Sequence, residues 1–256
     1  TGVLTFVSAP DYETTSSYSA TVTATDGTFS PTQSITVNIT NLNDNTPAIT
    51  SSSSFTADEN QIAIGTVTAT DADGDTLTFS ISGSEININS STGVLTFASA
   101  PDYETKTSYS ATVTASDGTN SATQDITVGV NNVSDNAPSF TSSSSFSVDE
   151  NQTSIGTVTA TDADGDTLTF SVSGSEIAIV SSTGVLTFVS APDYETKSSY
   201  SVTVTASDGT NSATQDITVA INNLNDNTPA ITSSSSFTAD ENQTAIGTVT
   251  ATDADG

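Results

Sequence analysis

Asn41-Leu42-Asn43-Asp44-Asn45-Thr46-Pro47 returns as Asn132-Val133-Ser134-Asp135-Asn136-Ala137-Pro138, and again as Asn223-Leu224-Asn225-Asp226-Asn227-Thr228-Pro229. The spacing is 91 residues both times, and a fixed period has to be recognised before domains are counted. Residues 47–137 and 138–228 are identical at 74 of 91 positions. A unit of that length suits one small all-β domain of about 100 residues. The Pro of each stretch is read as the start of a unit, which divides the chain into four parts. Residues 1–46 are the C-terminal part of a repeat, 47–137 and 138–228 are complete repeats, and 229–256 is the N-terminal part of a further one. Thr1–Phe6 matches Thr92–Phe97 and Gly256 matches Gly74, so the chain is expected to be an ordered piece of a longer repetitive polypeptide.

Inside a unit, hydrophobic alternation sets the fold class. In 47–137 the runs 64–69, 77–82, 109–115 and 126–130 alternate apolar with small polar residues, with Thr and Val dominant. Period two with β-branched residues is the signature of a half-buried strand. Shorter candidates lie at Phe55–Ala57, Ile86–Ile88 and Val94–Phe97, and Asp-Gly, Ser-Gly and Thr-Gly pairs separate them as turns. No 3.6-residue period is present. The expectation is all-β: tandem seven-stranded antiparallel sandwiches of Greek-key type, joined end to end by linkers. The run Ser51–Ser54, repeated at Ser142–Ser145 and Ser233–Ser236, is read as a break within the first strand.

Composition narrows the function. Thirty acids face two bases, Lys106 and Lys197, for a net charge of −28. Phosphate recognition needs clustered Lys and Arg, which excludes nucleic acid as a partner. No apolar run approaches the roughly 18 residues of a membrane helix, so no membrane insertion is expected in this stretch. The chain has no cysteine, hence no disulfide and no thiolate metal site. It has no histidine to serve as a base, and the Asp102/Glu104 pair recurs in every unit without a sugar-stacking Trp. The chain is read as not an enzyme, with no catalytic residues.

The acids fall at fixed points of the repeat: Asp58-Glu59, Asp71-Ala72-Asp73-Gly74-Asp75, Asp102-Tyr103-Glu104, Asp117-Gly118 and the linker Asp135. Most are at predicted strand ends. Because strands alternate in direction, Glu59, Asp102 and Glu104 are expected near the following linker, and Asp71, Asp73 and Asp117 near the preceding one. The linker at Asp135 then collects Glu59, Asp102, Glu104, Asp135, Asp162, Asp164 and Asp208. Two like charges about 4 Å apart repel by roughly 4 kcal/mol at an effective dielectric of 20, so cations must enter. Oxygen ligands without His or Cys favour a hard ion, and loose geometry with six to eight oxygens favours Ca²⁺ over Mg²⁺. Three Ca²⁺ nearly balance seven carboxylates. The Asp71–Asp75 segment is not an EF-hand, since Gly74 stands fourth and Ser82 takes the twelfth position.

Asp58-Glu59-Asn60, Asp71-Ala72-Asp73, Asp102-Tyr103-Glu104, Ala115-Ser116-Asp117-Gly118 and Asn-x-Asn-Asp-Asn-x-Pro together resemble the cadherin repeat, in family order and along the whole chain. The resemblance implies a seven-stranded sandwich with three Ca²⁺ at each junction. It implies ligands Asp11, Glu13, Asn43, Asp44, Asp71, Asp73 and Asp117 at the first junction. At the third it implies Glu150, Asp193, Glu195, Asn225, Asp226, Asp253 and Asp255. The linkers open with Asn41, Asn132 or Asn223 where the family has Asp, which removes a charge. Ser134 replaces the second Asn of the middle linker, which is expected to be the weakest. The adhesive end domain of the family has no counterpart, as there is no Trp.

The implied protein is an extracellular, bacterial surface molecule in which calcium stiffens a string of cadherin-like domains. It is expected to serve as the stalk of an adhesin whose surface ligand is bound by domains outside this stretch. Rival readings are a filament built by lateral contacts with neighbouring copies of itself, and a spacer in a secreted enzyme.

Overall fold

The computed structural model describes residues 2–256. The chain divides into two compact units, one ending at Val133 and the other beginning at Ser134. The first contains β1 (Ser17–Thr23), β2 (Thr32–Asn38), β3 (Ala48–Ile49), β4 (Ser54–Asp58), β5 (Ala63–Thr66) and β6 (Ala69–Thr70). It continues with β7 (Thr78–Ile81), β8 (Ile86–Ile88), β9 (Val94–Phe97), β10 (Ser108–Ser116) and β11 (Ser121–Asn131). Among the described residues there is no helix.

Residues 47–133 build a sandwich. One sheet has the order β4-β11-β10-β7 and the other β5-β9-β8, with β3 and β6 forming a separate pair. Side chains alternate across each strand, so every second residue can face the space between the sheets. Val113 and Ala115 of β10, Ile126 and Val128 of β11, and Leu95 and Phe97 of β9 do so and are buried. Phe79 of β7 and Ile86 of β8 join the same cluster. Phe97 meets Tyr109 edge to face with ring centroids 4.9 Å apart. Gly93 sits at φ 70°, and a Cβ there would stand 2.2 Å from the Val67 carbonyl, so this turn admits only glycine.

Two expectations need correction. The run 64–69 is not one strand: it divides into β5, which pairs with β9, and β6, which pairs with β3. Val67 lies at the break, giving its N–H to Gly93 O while its side chain is buried. Nor is the sandwich wholly antiparallel, because β4 runs parallel to β11 from Thr127↔Ser54 to Asn131↔Asp58. A chain that enters a sandwich at one pole and leaves at the other has first and last strands pointing the same way. The Ser51–Ser54 run is where the entering strand leaves its β6 partner and crosses to β11.

The second unit repeats the pattern. Its strands are β12 (Ser139–Phe140), β13 (Ser145–Asp149), β14 (Ser154–Thr157), β15 (Ala160–Thr161), β16 (Thr169–Val172) and β17 (Ile177–Ile179). They continue with β18 (Val185–Phe188), β19 (Ser199–Ser207), β20 (Ser212–Asn222), β21 (Ala230–Ile231) and β22 (Ala251–Thr252). Sheets β13-β20-β19-β16 and β14-β18-β17 enclose Val158, Ile177, Leu186, Val204 and Ile217. Lys106 and Lys197 lie at equivalent surface positions, each over a Tyr ring and paired with Glu85 or Glu176.

Candidate metal centre

In the first unit the linker docks on the loops at the entry pole of the sandwich. Asp73 is the anchor. Its Oδ2 accepts the backbone N–H of Asp44 (3.1 Å) and Asn45 (2.8 Å), and its Oδ1 accepts Asn45 Nδ2 (2.8 Å). Burial pushes the Asp73 carboxyl up, but these bonds and one from Glu13 outweigh it and hold it below its ordinary value. Glu13, Asp44 and Asp73 bring carboxylate oxygens within 4.8 Å of one another. Glu13 is shifted upward by desolvation first and by its proximity to Asp73.

Asp71 and Asp117 stand beside this group with half their acceptors unused. Asp71 Oδ1 accepts Asp73 N at 3.0 Å, and Asp117 Oδ1 accepts Thr119 N and Asn120 N at 2.6 Å each. Their Oδ2 atoms are buried and have no hydrogen-bond partner. Asn43 gives Nδ2 to the Asp117 carbonyl at 3.5 Å. Asp11 is turned to its own loop: Oδ1 accepts Glu13 N and Oδ2 accepts Thr14 Oγ1.

At the exit pole of the same unit, Glu59 is buried, 2 % exposed. Oε2 accepts Tyr103 N (2.8 Å) and Oε1 accepts Val133 N (2.7 Å). Asn60 follows at φ 63°, a left-handed conformation that Asn tolerates, and gives its N–H to Pro101 O. Asp102 accepts Thr105 N and Thr105 Oγ1, an Asx-type turn, and Glu104 is exposed beside it.

The second unit carries both kinds of pole. At its entry, Asp164 Oδ2 accepts Asp135 N (3.0 Å) and Asn136 N (2.9 Å), and Oδ1 accepts Asn136 Nδ2 (2.9 Å). Asp162 and Asp208 again hold one oxygen in hydrogen bonds while Oδ2 is buried without a partner. At its exit, Glu150 is 1 % exposed and accepts Tyr194 N and Leu224 N. Glu150, Glu195 and Asp226 place carboxylate oxygens within 4.8 Å. Asn227 ties the group together, donating to Asp226, to Glu195 and to both oxygens of Asp255. Glu195 is raised by burial, with Glu150 and Asp255 adding repulsion. Asp253 Oδ1 caps Asp255 N, Asn225 lies in the irregular linker segment, and Asp193 closes on Thr196.

These donors suit a hard divalent cation. All are oxygens, several are carboxylates in mutual contact range, and five buried Oδ2 atoms, those of Asp71, Asp117, Asp162, Asp166 and Asp208, lack the partner that a buried acceptor ordinarily has. The ligand sets expected from the sequence lack several participants. Asn45, Asn136 and Asn227 orient Asp73, Asp164 and Asp255 as donors. Asp75 and Asp166 come within 4.8 Å of the Asp71/Asp73 and Asp162/Asp164 pairs, and Asn151 Nδ2 donates to Asp226. The signal for the Asn residues was their recurrence every 91 positions in the linker motif.

The chain is similar in sequence and fold to known cadherin proteins. Residues 144–222 match the cadherin domain family, and residues 43–129 match a bacterial Ig domain. Protocadherin Fat 4 of Mus musculus is 30 % identical over 286 residues, covering 98 % of this chain. Cadherin EGF LAG seven-pass G-type receptor 2 of Homo sapiens is 32 % identical over 290 residues, covering all of it. The chain spans only 6 % and 10 % of those two proteins. Among solved structures, the protocadherin GammaB4 extracellular domain superposes with TM-score 0.75 at 26 % identity, over 96 % of this chain and 44 % of that one. Mouse cadherin-23 EC22-24 gives 0.71 at 25 %, over 82 % and 78 %. The sandwich topology, the linker motif and these matches converge: the chain belongs to the cadherin-repeat family.

Proposed function

We propose that this chain is a calcium-stiffened array of cadherin-like repeats, with repeats beginning at Pro47, Pro138 and Pro229, and that it forms the stalk of an extracellular surface adhesin. The observation that carries the calcium reading is the set of buried, partnerless oxygens on Asp71, Asp117, Asp162 and Asp208. An ionised carboxylate that is buried and half-satisfied is costly, and a cation is the partner its chemistry asks for. At the first linker Glu13, Asn43, Asp44, Asp71, Asp73 and Asp117 would hold the ions. At the third, Glu150, Glu195, Asn225, Asp226, Asp253 and Asp255 would do so. Bound calcium supplies the positive charge that lets these acids lie close together. The protein's part is to bring acids from two neighbouring repeats to one linker, so that holding the ion restrains both. The adhesive and extracellular reading is supported by the cadherin names and extracellular domains among the similar proteins.

The test compares the chain in Ca²⁺ and in EDTA. At ten times Kd each independent site adds about 1.4 kcal/mol to the folded state. That raises Tm by about 4–8 °C per kcal/mol in a domain of this size. Small-angle scattering is expected to give a longer maximum dimension in Ca²⁺. Equal Tm and equal dimension in both buffers would overturn the reading.

A further inference from the structure

The entry-pole loops contain a neutral residue that touches the linker more closely than most of the acids. Asn120 Nδ2 donates to Asn43 Oδ1 and to Asn45 O, both at 3.1 Å. Its backbone N–H holds Asp117 Oδ1, which leaves Asp117 Oδ2 buried and without a partner. One residue therefore fixes three oxygens: a linker side chain, a linker carbonyl and a loop carboxylate. In the second unit Asn211 holds Asp208 in the same way. Its Nδ2, however, faces Ser134 rather than an amide and reaches only the backbone oxygens of Ser134 (3.5 Å) and Asn136 (3.4 Å). Ser134 Oγ is buried and has no hydrogen-bond partner.

We propose that Asn120 and Asn211 are positioning residues for the linker cation sites, and that their pairing with residue 43 or 134 sets how tightly each site binds. The proposal rests on the calcium reading above. An amide oxygen has two lone pairs, so Asn43 Oδ1 can accept Asn120 and still face an ion. Ligands already held in place lose less conformational freedom on binding. The Asn43–Asn120 site is the tighter one. The Ser134–Asn211 site is looser, because the serine hydroxyl meets neither the amide nor the place an amide oxygen would take. Asn120 carries no charge and contributes no carboxylate; it acts through the residues it holds.

The experiment uses the 256-residue chain with Ser134→Asn, Asn211→Ala and the double substitution, and Asn120→Ala as an independent variant. Calcium titration by calorimetry is run beside hydrogen exchange of the Asp135 and Asn136 amides in EDTA. Ser134→Asn is expected to tighten the weakest calcium step about three- to tenfold, the scale of one added hydrogen bond. That gain should vanish when Asn211 is Ala, and Asn120→Ala should weaken the tighter step by a similar factor. In EDTA, Ser134→Asn should slow exchange of the linker amides only while Asn211 is present. An equal gain in both backgrounds, in affinity or in protection, would overturn the positioning role. If the parent chain takes up no calcium, the cation reading falls and the affinity claim with it. The exchange measurement then decides separately whether the amide clamps the linker.

Discussion

Ser17–Thr23 and Ser108–Thr114 are the same seven residues, Ser-Tyr-Ser-Ala-Thr-Val-Thr, and both are strands in antiparallel hairpins of the same register type. Their surroundings differ. β1 pairs only with β2, whereas β10 lies between β7 and β11, and β11 in turn pairs with β4. Val22 is 40 % exposed and its counterpart Val113 is 0 %. The comparison separates two things that a strand pattern merges. Residues 1–46, read above as only the C-terminal part of a repeat, include no counterparts of β4 and β7, so within these 256 residues the same hairpin is seen without the strands that bury its counterpart. What a residue contributes is therefore decided by the partner sheet, and equivalent substitutions in the two hairpins should have unequal effects.

The largest difference is expected in the core. Ile126→Ala should cost about 2–5 kcal/mol because Ile126 is 1 % exposed and leaves a cavity between packed sheets. Ile35→Ala, at the equivalent point of β2, should cost less than half as much; urea unfolding of the two variants measures both. Equal losses would mean that the hairpins are equally packed.

A smaller difference concerns calcium. Asp26 and Asp117 occupy the same turn, and each accepts two backbone N–H groups through Oδ1. Only Asp117 also has a buried Oδ2 without a partner. Asp117→Asn should keep the turn and remove about 1–2 kcal/mol of the calcium-dependent stabilisation, with little change in EDTA. Asp26→Asn should leave the calcium-dependent part of Tm unaltered. Thermal scans of both variants with and without EDTA separate the two effects.

The smallest is a gain. Gln124 faces inward on β11 beside Ile126, and its Oε1 is buried without a partner, while Gln33 on β2 is exposed. Gln124→Met should stabilise by about 1 kcal/mol, since an unsatisfied buried amide oxygen is removed. Gln33→Met should stay within about 0.5 kcal/mol of the parent. Destabilisation by Gln124→Met would show that the amide is satisfied in solution, by water for instance.

The same distinction explains what could be read from the chain. Strands at Ile86–Ile88 and Val94–Phe97 were visible because their alternation is local and their bounds are set by Gly turns. The division of 64–69 into β5 and β6 was not, because the apolar alternation runs on through Val67 while the partner strand changes. The parallel register of β4 on β11 joins residues more than seventy positions apart, and no local pattern encodes it. Among site residues, Glu59, Asp73 and Asp117 were legible as recurring acids. That Glu59 would be buried on two backbone N–H groups was not, nor that Asp11 and Asp102 would spend both oxygens on their own turns. Asn120 was invisible to a search for negative charge, since its part is to donate.

The two anchors of the third linker have a consequence for motion. Leu224 N is held by Glu150 and Asn227 N by Asp255, and neither bond involves an ion. Between these two nitrogens lie the backbone torsions of Leu224, Asn225 and Asp226, and the Asp226 N–H is held by the Leu224 carbonyl. On the calcium reading proposed above, loss of the ions leaves a backbone segment three residues wide between the anchors, still crossed by the Asn223–Asp255, Asn227–Glu195 and Asn151–Asp226 hydrogen bonds. Ordering three residues costs about 1–2 kcal/mol each at most, so re-locking the segment opposes ion binding by only a few kcal/mol. If calcium is held as proposed, such a short segment can slacken and recover stiffness as the surrounding calcium concentration falls and rises.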